Sequence, residues 1–276
     1  RETATEYGDD DHIRYGRKVL NADWDSHRAL WKVTAAGPDG QEVYTARWVH
    51  ICSGYYRYDK GYTPEFEGRD DFKGDIIHPH HRPENYDYSG KKGVVIGSGA
   101  TAMTVVPAMT DKAAHVTMLQ RSPTYVVSRP AEDGVANFMR KFLPNKMAYG
   151  LTRWKNVLMQ LFFYRMTRVR PNKVKEQLIG MGEEELGPDY DVETHFTPDY
   201  NPWNQRLCLV PDSDLFVALK EKKASVVTDH IDRFTETGIL LKSGETLDAD
   251  LIITATGLDL LWLGGMQLAV DGVLQQ

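Results

Sequence analysis

Short unbroken apolar runs separated by turn residues dominate the pattern along the chain. Trp48-Val49-His50-Ile51-Cys52, Val94-Val95-Ile96 and Leu251-Ile252-Ile253 each read as a strand covered on both faces. The first ends in Ser53-Gly54 and the last in Thr254-Ala255-Thr256-Gly257. A small residue and a glycine there let the backbone approach a ligand, with a plain turn as the alternative at Ser53-Gly54. Residues 12–24 and 29–36 read as extended segments, Pro38-Asp39-Gly40 as a turn and 42–52 as a strand pair. In residues 154–170, Trp154, Leu158, Leu161 and Phe162 recur at near-helical spacing, and Arg165, Arg168 and Arg170 suit a helix C-terminus. Packing of this helix on a core is preferred because amphipathic helices face a core by default. A peripheral membrane helix is the alternative, since aromatics and arginines occur together. Residues 215–222 predict a short helix, 226–227 a short strand and 231–247 a meander. Residues 1–7 read as the end of a helix, and the chain as a fragment.

Residues 93–122 carry the most specific chemistry. After the strand at 94–96, Gly97-Ser98-Gly99-Ala100-Thr101-Ala102 fits G-x-G-x-x-A, and 101–109 continues as a helix. The first glycine permits a tight turn, the second lets backbone approach a pyrophosphate, and the small third residue lets helix pack on strand. Amides at the helix start then point at phosphate. Residues 116–119 supply a second parallel strand, and the position about 20 residues beyond the glycines selects the cofactor. It reads Gln120-Arg121-Ser122. A carboxylate there would repel a 2'-phosphate, whereas Arg121 with a hydroxyl neighbour attracts one, so NADPH is expected over NADH. A glycine-rich turn in an ordinary α/β protein is the bland alternative.

Composition narrows the rest. The 276 residues allow one large or two smaller domains, and 26% charged residues with a net charge of -6 give no reason to expect nucleic acid as a partner. Cys52 and Cys208 lack C-x-x-C spacing, which argues against a disulfide framework or zinc and for a reducing, cytoplasmic setting. No apolar run reaches membrane-spanning length. Residues 55–88 read as a long functional connection. Their His78, His80 and His81 invite a metal, but no nearby Cys or paired acid completes a shell and Pro79 fixes the geometry against convergence, so satisfied loop histidines are preferred. Arg206 precedes the apolar run at 207–210; it could bind an anion, although the residues alone favour a salt bridge. The glycine-ended strands bracket the nucleotide unit, which suggests a dinucleotide domain inserted into another fold at two joints.

The segments SGYYRYDKGYTPEF, VVIGSGATA, HVTMLQRSPTYV, NPWNQRLCLVP and DLIITATGL, together with 72–83, give the chain a resemblance to the flavin-dependent Baeyer-Villiger monooxygenases, within them the ethionamide-activating subgroup. Phe72, Gly74, His78 and Pro83 match the family's F-x-G-x-x-x-H-x-x-x-W-P, the segment that couples NADPH binding to domain movement. Arg82 stands at the tryptophan. The resemblance implies an α/β flavoprotein with two dinucleotide-binding domains: a partial FAD domain at 1–54, a linker at 55–90, a Rossmann-like NADPH domain at 91–257 with a helical insertion near 133–210, and a return to the FAD domain at 258–276. It further implies cofactor binding by Gly97, Ser98, Gly99, Ala100, Thr101, Ala102 and Gln205, a 2'-phosphate grip by Arg121 and Ser122, and cofactor contacts at the joints by Ser53, Gly54, Thr256 and Gly257. Arg206 would be the catalytic arginine stabilising negative charge beside the flavin, which reverses the salt-bridge preference. The implied activity is FAD- and NADPH-dependent monooxygenation with O2, inserting oxygen beside ketones or oxidising sulfur in thioamide-like compounds. The family's own first FAD glycine motif lies outside the 276 residues, so this piece is expected to hold FAD poorly and to be inactive alone. The alternatives are an N- or S-oxygenating flavin monooxygenase, kept open by Arg82, and a non-catalytic NADPH-binding module. A disulfide reductase is disfavoured by the isolated cysteines.

Overall fold

The structure is a computed structural model that describes residues 2–275. The chain divides into two compact units, one holding it up to Lys60 and again from Leu258, the other Gly61–Gly257. In the first unit α1 (Glu2–Tyr7) precedes β1 (Lys18–Asp25), β2 (Leu30–Gly37) and β3 (Gly40–Ala46), an antiparallel meander. Pro38-Asp39 makes the tight β2–β3 turn because Gly37 pairs with Gly40, and Trp24 packs on Trp31 across β1 and β2 with ring centroids 5.4 Å apart. Strand β1 starts at Lys18, later than the apolar pattern predicts: Asp9–His12 form a 3-10 turn, and Gly16 sits at φ +68°, outside strand geometry.

The expected buried strand at 48–52 is absent. Trp48 is 80% exposed, Cys52 is exposed, and residues 48–54 carry no regular structure. A continuous apolar run becomes a buried strand only between neighbouring strands and under covering layers. None pairs with it among the described residues. Strand β4 (Tyr56–Gly61) follows.

The second unit opens with β5 (Asp75–Ile77), so residues 61–90 of the expected linker pack inside it and supply an edge strand of its main sheet. Next come β6 (Lys92–Ile96), α2 (Ala100–Met109), β7 (His115–Gln120) and β8 (Tyr125–Arg129). Four helices follow at the expected insertion: α3 (Gly134–Phe142), α4 (Asn145–Val169), α5 (Pro171–Leu186) and α6 (Val192–Phe196). Then β9 (Leu207–Pro211), α7 (Asp214–Lys220) and β10 (Ala224–Thr228) lead to the meander β11 (Ile231–Thr235), β12 (Gly238–Leu241) and β13 (Thr246–Asp248), and to β14 (Leu251–Thr254). The chain returns to the first unit through β15 (Leu258–Leu260), which pairs with β4, then β16 (Gln267–Val270) and β17 (Val273–Leu274).

The main sheet of the second unit is parallel throughout, in the order β10-β7-β6-β14-β5. Val95 and Met118 on one face pack under α2 through Ala102, Met103 and Val106. Val94, Ile96 and Ile252 on the other face meet Phe72 and Phe234. Buried on both faces, these strands read as unbroken apolar runs. Helix α4 packs on a core, as preferred, but through Phe163 and Met166 near its C-terminal end and not through the apolar stripe. Along the rest it turns Ala148, Thr152, Lys155 and Asn156 inward and leaves Leu151, Trp154, Leu158, Leu161 and Phe162 exposed.

Candidate functional site

In the order β10-β7-β6-β14-β5 the connections from β6 run to β7 on one side, while β14 lies on the other. The crevice beyond the carboxyl ends of β6 and β14 is therefore a topological switch point, where open α/β sheets bind ligands. Gly97 through Gly99 leave β6 there. Gly97 holds φ at +131°, and a methyl group on it would collide with the Ala255 carbonyl oxygen. Its amide donates to the Leu119 carbonyl at 2.8 Å, which ties the turn to β7 two residues before Arg121. Gly99 caps α2 with no side-chain hydrogen bond, and a methyl group there would meet nothing within 4 Å. The leading amides at Ala100 and Thr101, both exposed residues, have no intrahelical partner and face an open approach, which is what a phosphate requires. Ala102 is fully buried against the sheet, as a small third residue must be.

Ser98 is held from below. Its hydroxyl lies 3.2 Å from that of Thr124, both buried, and its carbonyl accepts from the Cys208 thiol at 3.8 Å. Burial pushes the Cys208 pKa up, keeping the thiol protonated as a donor. Neither Thr124 nor Cys208 carries a local sequence signal for this role. At the end of β7, Gln120 is buried and turned inward. Its Nε2 donates to the His195 carbonyl at 2.7 Å and to the Thr228 hydroxyl at 2.9 Å. That leaves Arg121 and Ser122, both exposed, as the groups that can meet a ligand at this strand end.

Arg206 enters β9 two residues before Cys208, and its backbone carbonyl accepts from the Tyr200 hydroxyl at 2.8 Å. Its guanidinium is exposed and forms no ion pair among the described residues, so the salt bridge favoured by the residues alone is absent. Gln205 beside it is likewise exposed.

The residues 72–83 have separate physical roles. Phe72 is a core side chain, its ring 6.4 Å from that of Phe234 in an edge contact. A methyl group on Gly74 would collide with the Asp250 carbonyl oxygen, so the glycine lets β5 close on the approach to β14. His78 leaves β5 at the same carboxyl edge as the glycine turn, and its Nδ1 accepts from the His80 amide at 3.1 Å. Its ring occupies the space a side chain at Gly61 would need. Burial lowers the His78 pKa, offset in part by the backbone of Gly257 and Tyr62. Arg82 and Pro83 are exposed. Gly257, at φ +115°, accepts from the Tyr62 amide at 3.2 Å, while the Thr256 hydroxyl donates to the Tyr62 carbonyl at 2.7 Å. In the first unit Ser53 has a buried hydroxyl without a hydrogen-bond partner among the described residues, and Gly54 takes φ +66°. These two residues lie in the irregular segment before β4 and not at a strand end, and a buried orphan beside a left-handed glycine fits a place that receives a ligand.

Comparisons place this geometry. FAD-containing monooxygenase EthA of Mycobacterium tuberculosis is 51% identical over 273 residues, covering 99% of this chain and 56% of that protein. Probable FAD-binding monooxygenase AlmA of Acinetobacter baylyi is 48% identical over 273 residues, covering 98% of this chain and 55% of its own. The chain thus spans about half the length of the curated relatives it matches. Among solved structures, oxidized steroid monooxygenase bound to NADP superposes with a TM-score of 0.74 at 20% identity, over 97% of this chain and 57% of that one. Open cyclohexanone monooxygenase gives 0.70 at 18% identity, over 97% and 59%. These two show a shared fold. The model of the flavin-binding monooxygenase-like family matches residues 4–262, and the chain belongs to that family.

Proposed function

We propose that this chain carries the NADPH-binding region, and part of the flavin-binding region, of an FAD- and NADPH-dependent monooxygenase. The observation that carries the proposal is the glycine turn at the switch point, with open helix amides at Ala100 and Thr101 and Arg121 two residues past the strand carbonyl that holds Gly97. When bound, NADPH supplies hydride, and FAD accepts it and activates O2 for transfer to a small molecule. The residues of this chain bind and position. Gly97, Ser98, Gly99, Ala100, Thr101 and Ala102 offer backbone to the pyrophosphate, while Arg121 and Ser122 hold the 2'-phosphate. Arg206 keeps its charge at any working pH and presents a fixed fork of donors, suited to stabilising an anion as it develops, with Gln205 beside it. Ser53 and Gly54 of the first unit, and Thr256 and Gly257 after β14 of the second, serve the cofactors, while Phe72, Gly74 and His78 position the edge strand β5 of the second unit. The substrates proposed are ketones, oxidised in the Baeyer-Villiger manner, or sulfur in thioamide-like compounds. The name of EthA supports the monooxygenase class, at 51% identity. Arg82, in place of the family tryptophan, favours an N- or S-oxygenating enzyme as the second reading. Unpaired Cys52 and Cys208 support a reducing, cytoplasmic location.

Arg206→Ala in the longer protein tests the assignment. NADPH-dependent flavin reduction persists, while oxygenated product from a ketone and from a thioether falls by about 100-fold or more, the usual cost of one charge-stabilising donor. Equal loss of both steps overturns the role of Arg206. Thioether product without ketone product selects the second reading.

A further inference from the structure

Helix α4 packs on a core only near its C-terminal end, where Phe163 and Met166 meet the cluster of Tyr125, Val127, Val174 and Leu178. Over the rest of its 25 residues it keeps small and polar groups against the protein, including Lys155 paired with Asp133 at 2.6 Å. At spacings of three, four and seven, the outward face shows Leu151, Trp154, Leu158, Leu161 and Phe162. Trp154 is 65%, Leu158 60% and Phe162 67% exposed. The apolar surface continues onto α3, where Phe138 and Phe142, in tilted contact with ring centroids 4.9 Å apart, are both exposed. Exposed apolar area of this extent marks an interaction site. Its charge is just as one-sided. Residues 134–170 hold eight Lys or Arg and no Asp or Glu, in a chain whose net charge is -6.

We infer that this face of α3 and α4 docks on an anionic lipid surface, with α4 lying in the plane of the interface. Aromatic and aliphatic side chains on one side, flanked by arginine and lysine without carboxylates, match the chemistry of a bilayer carrying acidic headgroups. Trp154, Tyr149 and Tyr164 are the amphipathic rings that settle at headgroup depth. Among the described residues no helix is long and apolar enough to cross a membrane, so the contact is peripheral. Charge selects this occupant over a second copy of the chain. Pairing α3 and α4 with their own copies would bring together two stretches of eight basic residues each, with no carboxylate in either stretch to answer them. It also fixes the orientation, because a bilayer of the same sign repels the acidic remainder of the molecule. The inference is independent of the proposed activity.

Sedimentation of the full chain, and of the longer protein, with phosphatidylcholine vesicles containing or lacking phosphatidylglycerol tests it. Binding to the acidic vesicles at least about tenfold tighter than to the neutral ones is expected, with loss as salt rises. Leu158→Glu and Phe162→Glu, outward residues, abolish binding while circular dichroism, melting temperature and NADPH affinity stay unchanged. Trp154 emission shifts to the blue on binding and that shift is missing in Trp154→Phe. Absence of binding, or equal binding to both vesicles, overturns the inference. So does binding by this chain but not by the longer protein, which assigns the face to the remaining polypeptide. A dimer dissolved by Leu158→Glu without vesicle binding assigns it to a second copy.

Discussion

Gly97 and Gly99 stand two residues apart and are glycine for different reasons. At Gly97 a side chain would demand the disfavoured φ of +131° and collide with Ala255; at Gly99 it would meet only open space. Gly97→Ala is therefore expected to cost about 1–3 kcal/mol of folding stability. Gly99→Ala should leave the urea midpoint nearly unchanged and weaken NADPH binding, because its methyl group fills the phosphate approach. At Arg121, substitution by alanine should weaken NADPH binding about 10- to 100-fold, the worth of a charged hydrogen bond, and leave NADH affinity unaltered. Titration calorimetry with both nucleotides checks it. The histidines predict a pH effect. Burial lowers the pKa of His195, with Asp191 opposing in part, and burial likewise lowers that of His78. The unfolded chain then binds more protons below the ordinary histidine value of about 6.5, so stability falls as pH drops through that range. Melting temperatures from pH 8 to 5 should fall less steeply for His195→Gln than for the parent, with the remainder of the slope due in part to His78.

At the scale of elements, β6, α2 and β7 were legible because their information is local: an apolar run, a glycine turn and a second run follow one another within thirty residues. The edge strand β5 was not, since only three residues, Asp75–Ile77, form it and its pairing partner β14 lies far along the chain. The side chain that fixes it is Phe72, a residue the motif singled out but whose packing on Phe234 no local pattern discloses. Phe72→Ala should destabilise the second unit by about 3–5 kcal/mol. Amide exchange should show β5 opening before β6. Helix α4 illustrates the converse: periodicity gave the helix and its apolar stripe, but not the direction the stripe faces. That depends on whether a neighbour exists to cover it.

For the whole molecule, the glycine turn and Arg121 were readable from the sequence, whereas Thr124, Cys208 and the Gln120–Thr228–His195 network were not. They meet the turn from strands and helices separated from it by up to a hundred residues or more. The apolar run at 48–52 misled for a related reason, since burial depends on what surrounds a segment as well as on its composition. The hydrogen bonds joining Tyr62 to Thr256 and Gly257 have one more consequence. Where a unit's entry and exit are fastened side by side, its backbone is nearly a closed ring. Residues 61–257 should then tolerate circular permutation: linking the old ends with a few glycines and opening new ones at an exposed loop should preserve the nucleotide site, with NADPH affinity of the permuted protein as the readout.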